Sequence, residues 1–244
     1  MERRRFVILT SGLAMGFAMS SVASTTPEVK APPRAVNPAN FVSAADNRFF
    51  PLKPGTTFFY EGTEDGAPAS DEVSVTHEVK RILGVDCTVV HDRVFEHGVL
   101  VEDTFDWYAQ DVDGNVWYFG EDTKELDPQG HVISTEGSWE AGVNGAEPGI
   151  IMEANPRPGD RYHQEIAPGV AEDMAEVLSL DKPAPVPYGR FDESLLIKEW
   201  SPLEPGVLEH KYYAEDVGFI LGVMVKGGHE RTELVRITTD TPTP

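Results

Sequence analysis

Residues 72–79 read Glu72-Val73-Ser74-Val75-Thr76-His77-Glu78-Val79. Valines at 73, 75 and 79 alternate with polar Glu72, Ser74, Thr76 and Glu78. Successive side chains of a strand point to opposite faces, so this period of two predicts a half-buried strand. The same reading spreads outward. Thr56 to Tyr60 is β-branched and aromatic. A turn at Gly84 leads into a strand over 87–95, His97-Gly98 turns the chain, and 99–109 returns. Asp113-Gly114 between apolar flanks is a hairpin signal, and Trp117-Tyr118-Phe119 continues the sheet. A meander therefore fills 56–121.

The pattern resumes after Pro187, with strands expected over 194–200, 207–213, 218–225 and 230–237. Two echoes join the halves. Pro51-Leu52-Lys53-Pro54-Gly55 recurs as Pro202-Leu203-Glu204-Pro205-Gly206. Tyr108-Ala109-Gln110-Asp111-Val112 recurs as Tyr213-Ala214-Glu215-Asp216-Val217. Equivalent corners in both halves argue for one continuous sheet. The Gly- and Pro-rich stretch 122–190 reads as a loop-bearing insert, with a helix expected over Gly169–Leu180. The fold class is therefore mainly β: a single strongly curved antiparallel sheet, open and barrel-like, with a loop and helix insert.

Residues 1–23 carry Arg3-Arg4-Arg5, an apolar run from Phe6 to Met19 and small residues at Ser21 and Ala23. That is the pattern of a cleaved signal peptide, and the arginine pair with Phe6 also resembles a twin-arginine signal. The expectation is an exported protein, periplasmic or extracellular, with no stable membrane span after cleavage. Residues 24–48 read as a flexible linker, 49–238 as one β-rich domain, and 239–244 as a tail.

The chain has 244 residues and a formal charge of -21. Removing 1–23 takes away Glu2 and three arginines, which leaves a formal -23. Such a body repels nucleic acid, so a generic nucleic-acid partner is excluded. Cys87 is the single cysteine, so no intrachain disulfide can form. It reads as a buried structural thiol. On one strand face it would stand about 13 Å from His91, too far for a dyad.

The string Glu209-His210-Lys211-Tyr212-Tyr213-Ala214-Glu215-Asp216-Val217-Gly218-Phe219-Ile220 resembles a strand–turn element of uncharacterised exported bacterial proteins. Some of these resemble the periplasmic lipoprotein-carrier fold, which implies a curved sheet with helices over its concave face. The segment 102–121 is likewise similar to a bacterial family of no known activity. The resemblance implies a fold and no reaction.

Three sets of side chains are candidates for chemistry. The strand aromatics suggest a groove for a small apolar or amphipathic ligand, with Trp107, Trp117 and Tyr212 as contacts and Glu102, Asp106 and Gln110 setting orientation. By alternation, Phe105 and Trp107 share one face, while Tyr108 and Tyr118 take the other. Asp111, Asp113 and Asn115 place hard oxygens at alternate positions of a tight turn, with Glu121 beyond, as a Ca²⁺ site would. The competing reading of that string is an ordinary Asp-Gly turn. No cofactor other than this Ca²⁺ is implied. Glu140, His163, Glu165 and Glu172 form an alternative polar site, in which His163 and Glu165 share a face if the chain is extended. No complete catalytic motif is present. The leading function is thus a non-enzymatic ligand-binding or envelope-associated protein. A carboxylate- or metal-dependent hydrolase and a structural or assembly protein are the alternatives.

Overall fold

The computed structural model describes residues 36–42, 44–64 and 66–240. The expected signal peptide, most of the expected linker and residues 241–244 lie outside them. The strands in chain order are β1 (Phe41–Val42), β2 (Thr56–Glu64), β3 (Ala67–Ile82), β4 (Val85–Glu96), β5 (Val99–Asp111) and β6 (Val116–Leu126). There follow β7 (Val132–Ser134), β8 (Trp139–Glu140), β9 (Glu147–Met152), β10 (Arg161–His163), β11 (Glu165–Ile166) and β12 (Met174–Ser179). The last are β13 (Ala184–Val186), β14 (Gly189–Phe191), β15 (Leu195–Trp200), β16 (Leu208–Ala214), β17 (Gly218–Lys226) and β18 (Arg231–Thr239).

Thirteen of them form one path, β10-β12-β15-β16-β17-β18-β2-β3-β4-β5-β6-β9-β11. Every pairing along it is antiparallel. The two ends of the path, β10 and β11, are consecutive pieces of one chain segment parted at Gln164. The sheet therefore curls into a nearly closed antiparallel barrel with one unsealed seam. Gly149 in β9 makes the seam approachable: a Cβ there would lie 2.2 Å from the Gln164 carbonyl oxygen. Only glycine permits that contact.

All strands expected from period two are present, most of them slightly longer than the pattern indicates. Asp113-Gly114 turns the β5–β6 hairpin, with Gly114 at φ 93°. The insert differs from expectation. Its strands β9 to β12 complete the barrel wall. Gly169–Leu180 is a turn followed by β12, not a helix. Val170, Met174, Val177 and Leu178 have helical spacing, but β12 is hydrogen-bonded on both sides, to β10 and β15. Arg161 and Lys198 on those neighbours flank Glu176 and form ion pairs with it. Tertiary pairing overrides a weak local preference.

The only helix among the described residues is a 3₁₀ turn, Pro38–Asn40. The covering helices that a carrier-like fold implies are thus not found there; side chains fill the concave face instead. One apolar cluster spans both halves of the chain, from Tyr60, Val75, Val90 and Phe119 to Leu195, Ile197, Tyr213 and Ile220. Cys87 is fully buried, and burial pushes its thiol up to about 12.

Ordered structure also begins upstream of Phe49. Residues 37–42 and 44–52 form a strap across one end of the barrel. Phe41 and Val42 pair with Asp111 and Gln110. Gln110 Oε1 accepts from the amides of Asp46 and Asn47 at 2.9 and 2.8 Å. The buried Asn47 amide donates to the carbonyls of Gly114 and Glu153. The strap reaches both echoed corners: Val112 N donates to Asn40 O, and Asp216 N to Arg48 O. These partners are distant in sequence, so a Pro-interrupted stretch looks like a linker when read locally.

Candidate functional site

Alternation on four adjacent strands aims carboxyls into the barrel. Across the ladders Tyr60 stands opposite Asp71, Val73 opposite Asp92, Val90 opposite Asp106, and Asp106 opposite Glu121. Asp71, Asp92, Glu102, Asp106 and Glu121 are all buried. Thr104 and Thr123 lie among them, with their hydroxyls 2.6 Å apart. Burial raises Asp71 to about 7, helped by the charges of Glu102 and Asp106. Burial and the Asp92 charge raise Glu102 and Asp106 to about 8. Asp92 is pushed well above the carboxylate range by burial and by Asp71, against the pull of Lys211. Tyr118 donates to Asp106 Oδ1 at 2.6 Å. The Asp92 carboxyl donates a hydrogen bond to Asp71, which raises the first acid and lowers the second.

Beside this layer lies a cavity of about 60 Å³. Asp92, Asp106 and Tyr108 supply its polar lining. Its walls are apolar and aromatic, chiefly Phe50, Phe58, Tyr60, Val73, Tyr213 and Phe219. Phe50 is delivered by the strap and packs edge-on to Tyr108 at 5.3 Å and tilted to Tyr213 at 6.5 Å. The two echoed tyrosines thus meet the same ring. Tyr60 completes the wall and donates to Phe219 O at 3.1 Å.

Across the interior, the buried Lys211 pairs with Glu199 at 2.7 Å and Glu209 at 3.5 Å. Gln164 donates to the other Glu199 oxygen at 2.8 Å. Burial alone would lower the Lys211 pKa, but Glu199 and Glu209 outweigh it and hold the ammonium charged.

Of the six groove candidates, the structure brings Glu102 and Asp106 to the interior layer, and Asp106 to the cavity. Trp107 lies on the opposite face under Lys80, whose ammonium is 3.2 Å from its ring centroid. Gln110 is consumed by the strap. Trp117 donates to Asp111 and packs against Phe41. Tyr212, next to inward Tyr213, faces away from the interior by alternation and is half-buried. Tyr108 and Tyr118 do share the inner face, stacked 4.7 Å apart.

The 111–115 turn uses its own oxygens. Asp111 Oδ1 accepts from the amides of Asp113 and Asn115, and Oδ2 from Asn115 Nδ2 and Trp117 Nε1. Asn115 Oδ1 accepts from Ala154 N. Glu121 lies further along β6, opposite Asp106, and is not brought to the turn. Among the described residues, no group of three or more His, Cys, Asp or Glu is placed to hold a metal ion.

Of the alternative polar set, the structure brings His163 and Glu172 near each other and places Glu140 and Glu165 elsewhere. Glu140 pairs with Lys80 at 2.7 Å. Glu165 is fully buried and accepts from Trp139 Nε1 at 3.2 Å. Glu172 accepts from Gly169 N at the surface. His163 is half-buried; burial lowers its pKa, and Glu172 opposes that. His163 and Glu165 do not share an environment, because the strand changes partner at Gln164, from β12 to β9.

Asp71, Asp92 and Lys211 had no place among the sequence candidates. A signal existed for two of them. Asp92 falls between Val90 and Val94, and Asp71 precedes Val73 and Val75, each at spacing two. A carboxylate in phase with an apolar stripe is an inward carboxylate.

No protein-family model and no curated protein sequence matches this chain. Among solved structures, it is similar to a Bacteroides fragilis protein described as exported and of YmcC-like fold, at 16% identity and a TM-score of 0.46, covering 79% of this chain and 100% of that one. It is also similar to a Parabacteroides distasonis protein described as a lipoprotein, at 14% identity and a TM-score of 0.43, covering 79% and 99%. Neither description names a ligand or a reaction. Among the described residues, no helix is long and apolar enough to cross a membrane.

Proposed function

We propose that this is an exported, non-enzymatic binding protein that holds a small amphipathic molecule inside its barrel. One observation carries the reading: an aromatic-walled cavity inside the barrel has two buried acids, Asp92 and Asp106, in its lining. Apolar walls with a few convergent polar groups are the usual make-up of a ligand site. The basic and apolar pattern of residues 1–23 supports export, with cleavage after Ala23. The hydrolase alternative has no comparable support, since Glu140 and Glu165 are engaged away from His163 and Glu172.

Native mass spectrometry of the protein purified from its own host tests this. The expected spectrum shows a mature chain beginning at Ser24 and carrying a small mass that is lost on denaturation. Val73→Phe, which fills the cavity, should abolish that mass. A bare chain in the wild type, with identical thermal responses of wild type and Val73→Phe to added small amphiphiles, would overturn the binding reading. An intact Met1 in the exported fraction would overturn cleavage.

A further inference from the structure

We propose that the cavity selects a short organic cation: an ammonium head on a small apolar group. The inference rests on the binding reading above and names the class of ligand.

The first argument is charge balance. Asp92 and Asp106 line the cavity, and Asp71 and Glu102 lie behind them. Lys211, the buried cation of this interior, is engaged by Glu199 and Glu209. An anionic ligand would add like charge to a buried acidic layer. A neutral one would leave the layer as it is. A cation can take the place of the protons these acids otherwise hold, and its N–H donors make charge-assisted hydrogen bonds with the Asp92 and Asp106 carboxylates in the lining.

The second argument is the wall. Phe50, Tyr60, Tyr108, Tyr213 and Phe219 surround the space. Aromatic faces attract ammonium groups through the ring quadrupole, more strongly in a desolvated site. Rings with adjacent carboxyls suit an alkylammonium on both counts. The same wall is wrong for a hydrated metal ion, which needs about six or more oxygens. The third argument is size. A cavity of about 60 Å³ holds about four or five water-sized groups, which fits a head with a short chain.

The test is isothermal titration calorimetry of the mature protein with three near-isosteric probes: butylammonium, 1-butanol and butyrate. Butylammonium should saturate one site, bind about tenfold more tightly than 1-butanol, and leave butyrate without measurable heat. Asp92→Asn and Asp106→Asn should each weaken butylammonium about tenfold and change 1-butanol by less than about twofold. If 1-butanol or butyrate binds as tightly as butylammonium, the cavity binds small molecules and the cation inference is overturned. If no probe binds, and Val73→Phe carries the same native mass as the wild type, both readings fall. Ranking the probes on the wild type decides the matter even if an Asn variant does not fold.

Discussion

On β15 and β16, buried Glu199 faces Lys211 at 2.7 Å and takes a further hydrogen bond from Gln164. On β3, β4 and β5, buried Asp71, Asp92, Glu102 and Asp106 face hydroxyls and one another. Both regions sit inside the same barrel, behind the same aromatic residues. The first holds the Lys211 ammonium charged by surrounding it with Glu199 and Glu209, though burial still raises Glu209 to about 7. The second sheds its charges, because desolvation and mutual repulsion favour the protonated acid. Matched charge is a structural solution: removing either partner leaves the other stranded. Unmatched acid is an adaptable one, since a proton or a bound cation can satisfy it.

The largest effect should come from breaking the matched side. Lys211→Met leaves Glu199 buried without its cation, at a cost of about 3–5 kcal/mol. For a domain of this size that lowers the melting temperature by roughly 6–20 °C. Circular dichroism melts would show it, and adding Glu199→Gln should restore most of the loss. If Lys211→Met melts like the wild type, the pair is not what holds that side.

The unmatched side predicts an unusual pH response. A carboxyl whose folded pKa is raised stabilises the fold fully below its unfolded pKa, about 4, and loses that contribution as pH rises through its folded value. For Asp71, Glu102 and Asp106 that loss is centred near pH 7 to 8, and Asp173 and Glu209 on the Lys211 side add to it near pH 7. His163 and His210, lowered by burial, oppose this below about pH 6.5. Between pH 6.5 and 8.5, stability should therefore fall, on the order of 2 kcal/mol. Urea midpoints at the two pH values measure it. Asp106→Asn should flatten the slope and be close to neutral at the lower pH, where Asp106 already carries its proton. A stability that rises over this window would refute the assignment.

Gly149→Ala probes the seam between the regions. Its Cβ meets the Gln164 carbonyl, and Gln164 steadies Glu199. A loss of about 1–3 kcal/mol in chemical denaturation is expected. The effect should shrink in a Glu199→Gln background if it acts through that contact. The smallest effect belongs to the strap's outer ion pair. Arg48 and Glu215 meet at 2.6 Å but are 47% and 59% exposed. Glu215→Ala should cost less than about 1 kcal/mol, and less still in high salt.

Much of the wall was legible because its signals are local. Val73 and Val75 announce β3, Asp113-Gly114 announces the hairpin, and the Tyr108 and Tyr213 echoes announce equivalent corners. The inner face was harder to read. Outward Trp107 and Trp117 are buried too, under Lys80 and Phe41. With apolar residues on both faces, alternation separates the faces without saying which is inside. Register shifts between Val75 and Val79 and between Asp106 and Tyr108 interrupt the phase as well. Hence Trp107 and Trp117 read as ligand contacts, while Asp71 and Asp92 were not among the candidates.

By itself the sequence determined the strands, the turns and the alternation of side chains, since pleat period and turn geometry depend on a few neighbouring residues. The tertiary structure alone decided that Met174–Ser179 is a strand, that 37–42 and 44–52 are a strap, and that Glu199 and Glu209 share a lysine while Asp71, Glu102 and Asp106 face hydroxyls and other acids. Those outcomes depend on groups from remote segments meeting in a dry interior: Gln110 with Asp46, Gly149 with Gln164, Asp71 with Asp92 and Asp106. Burial sets the charge state of a carboxyl, and burial exists only once the barrel has closed.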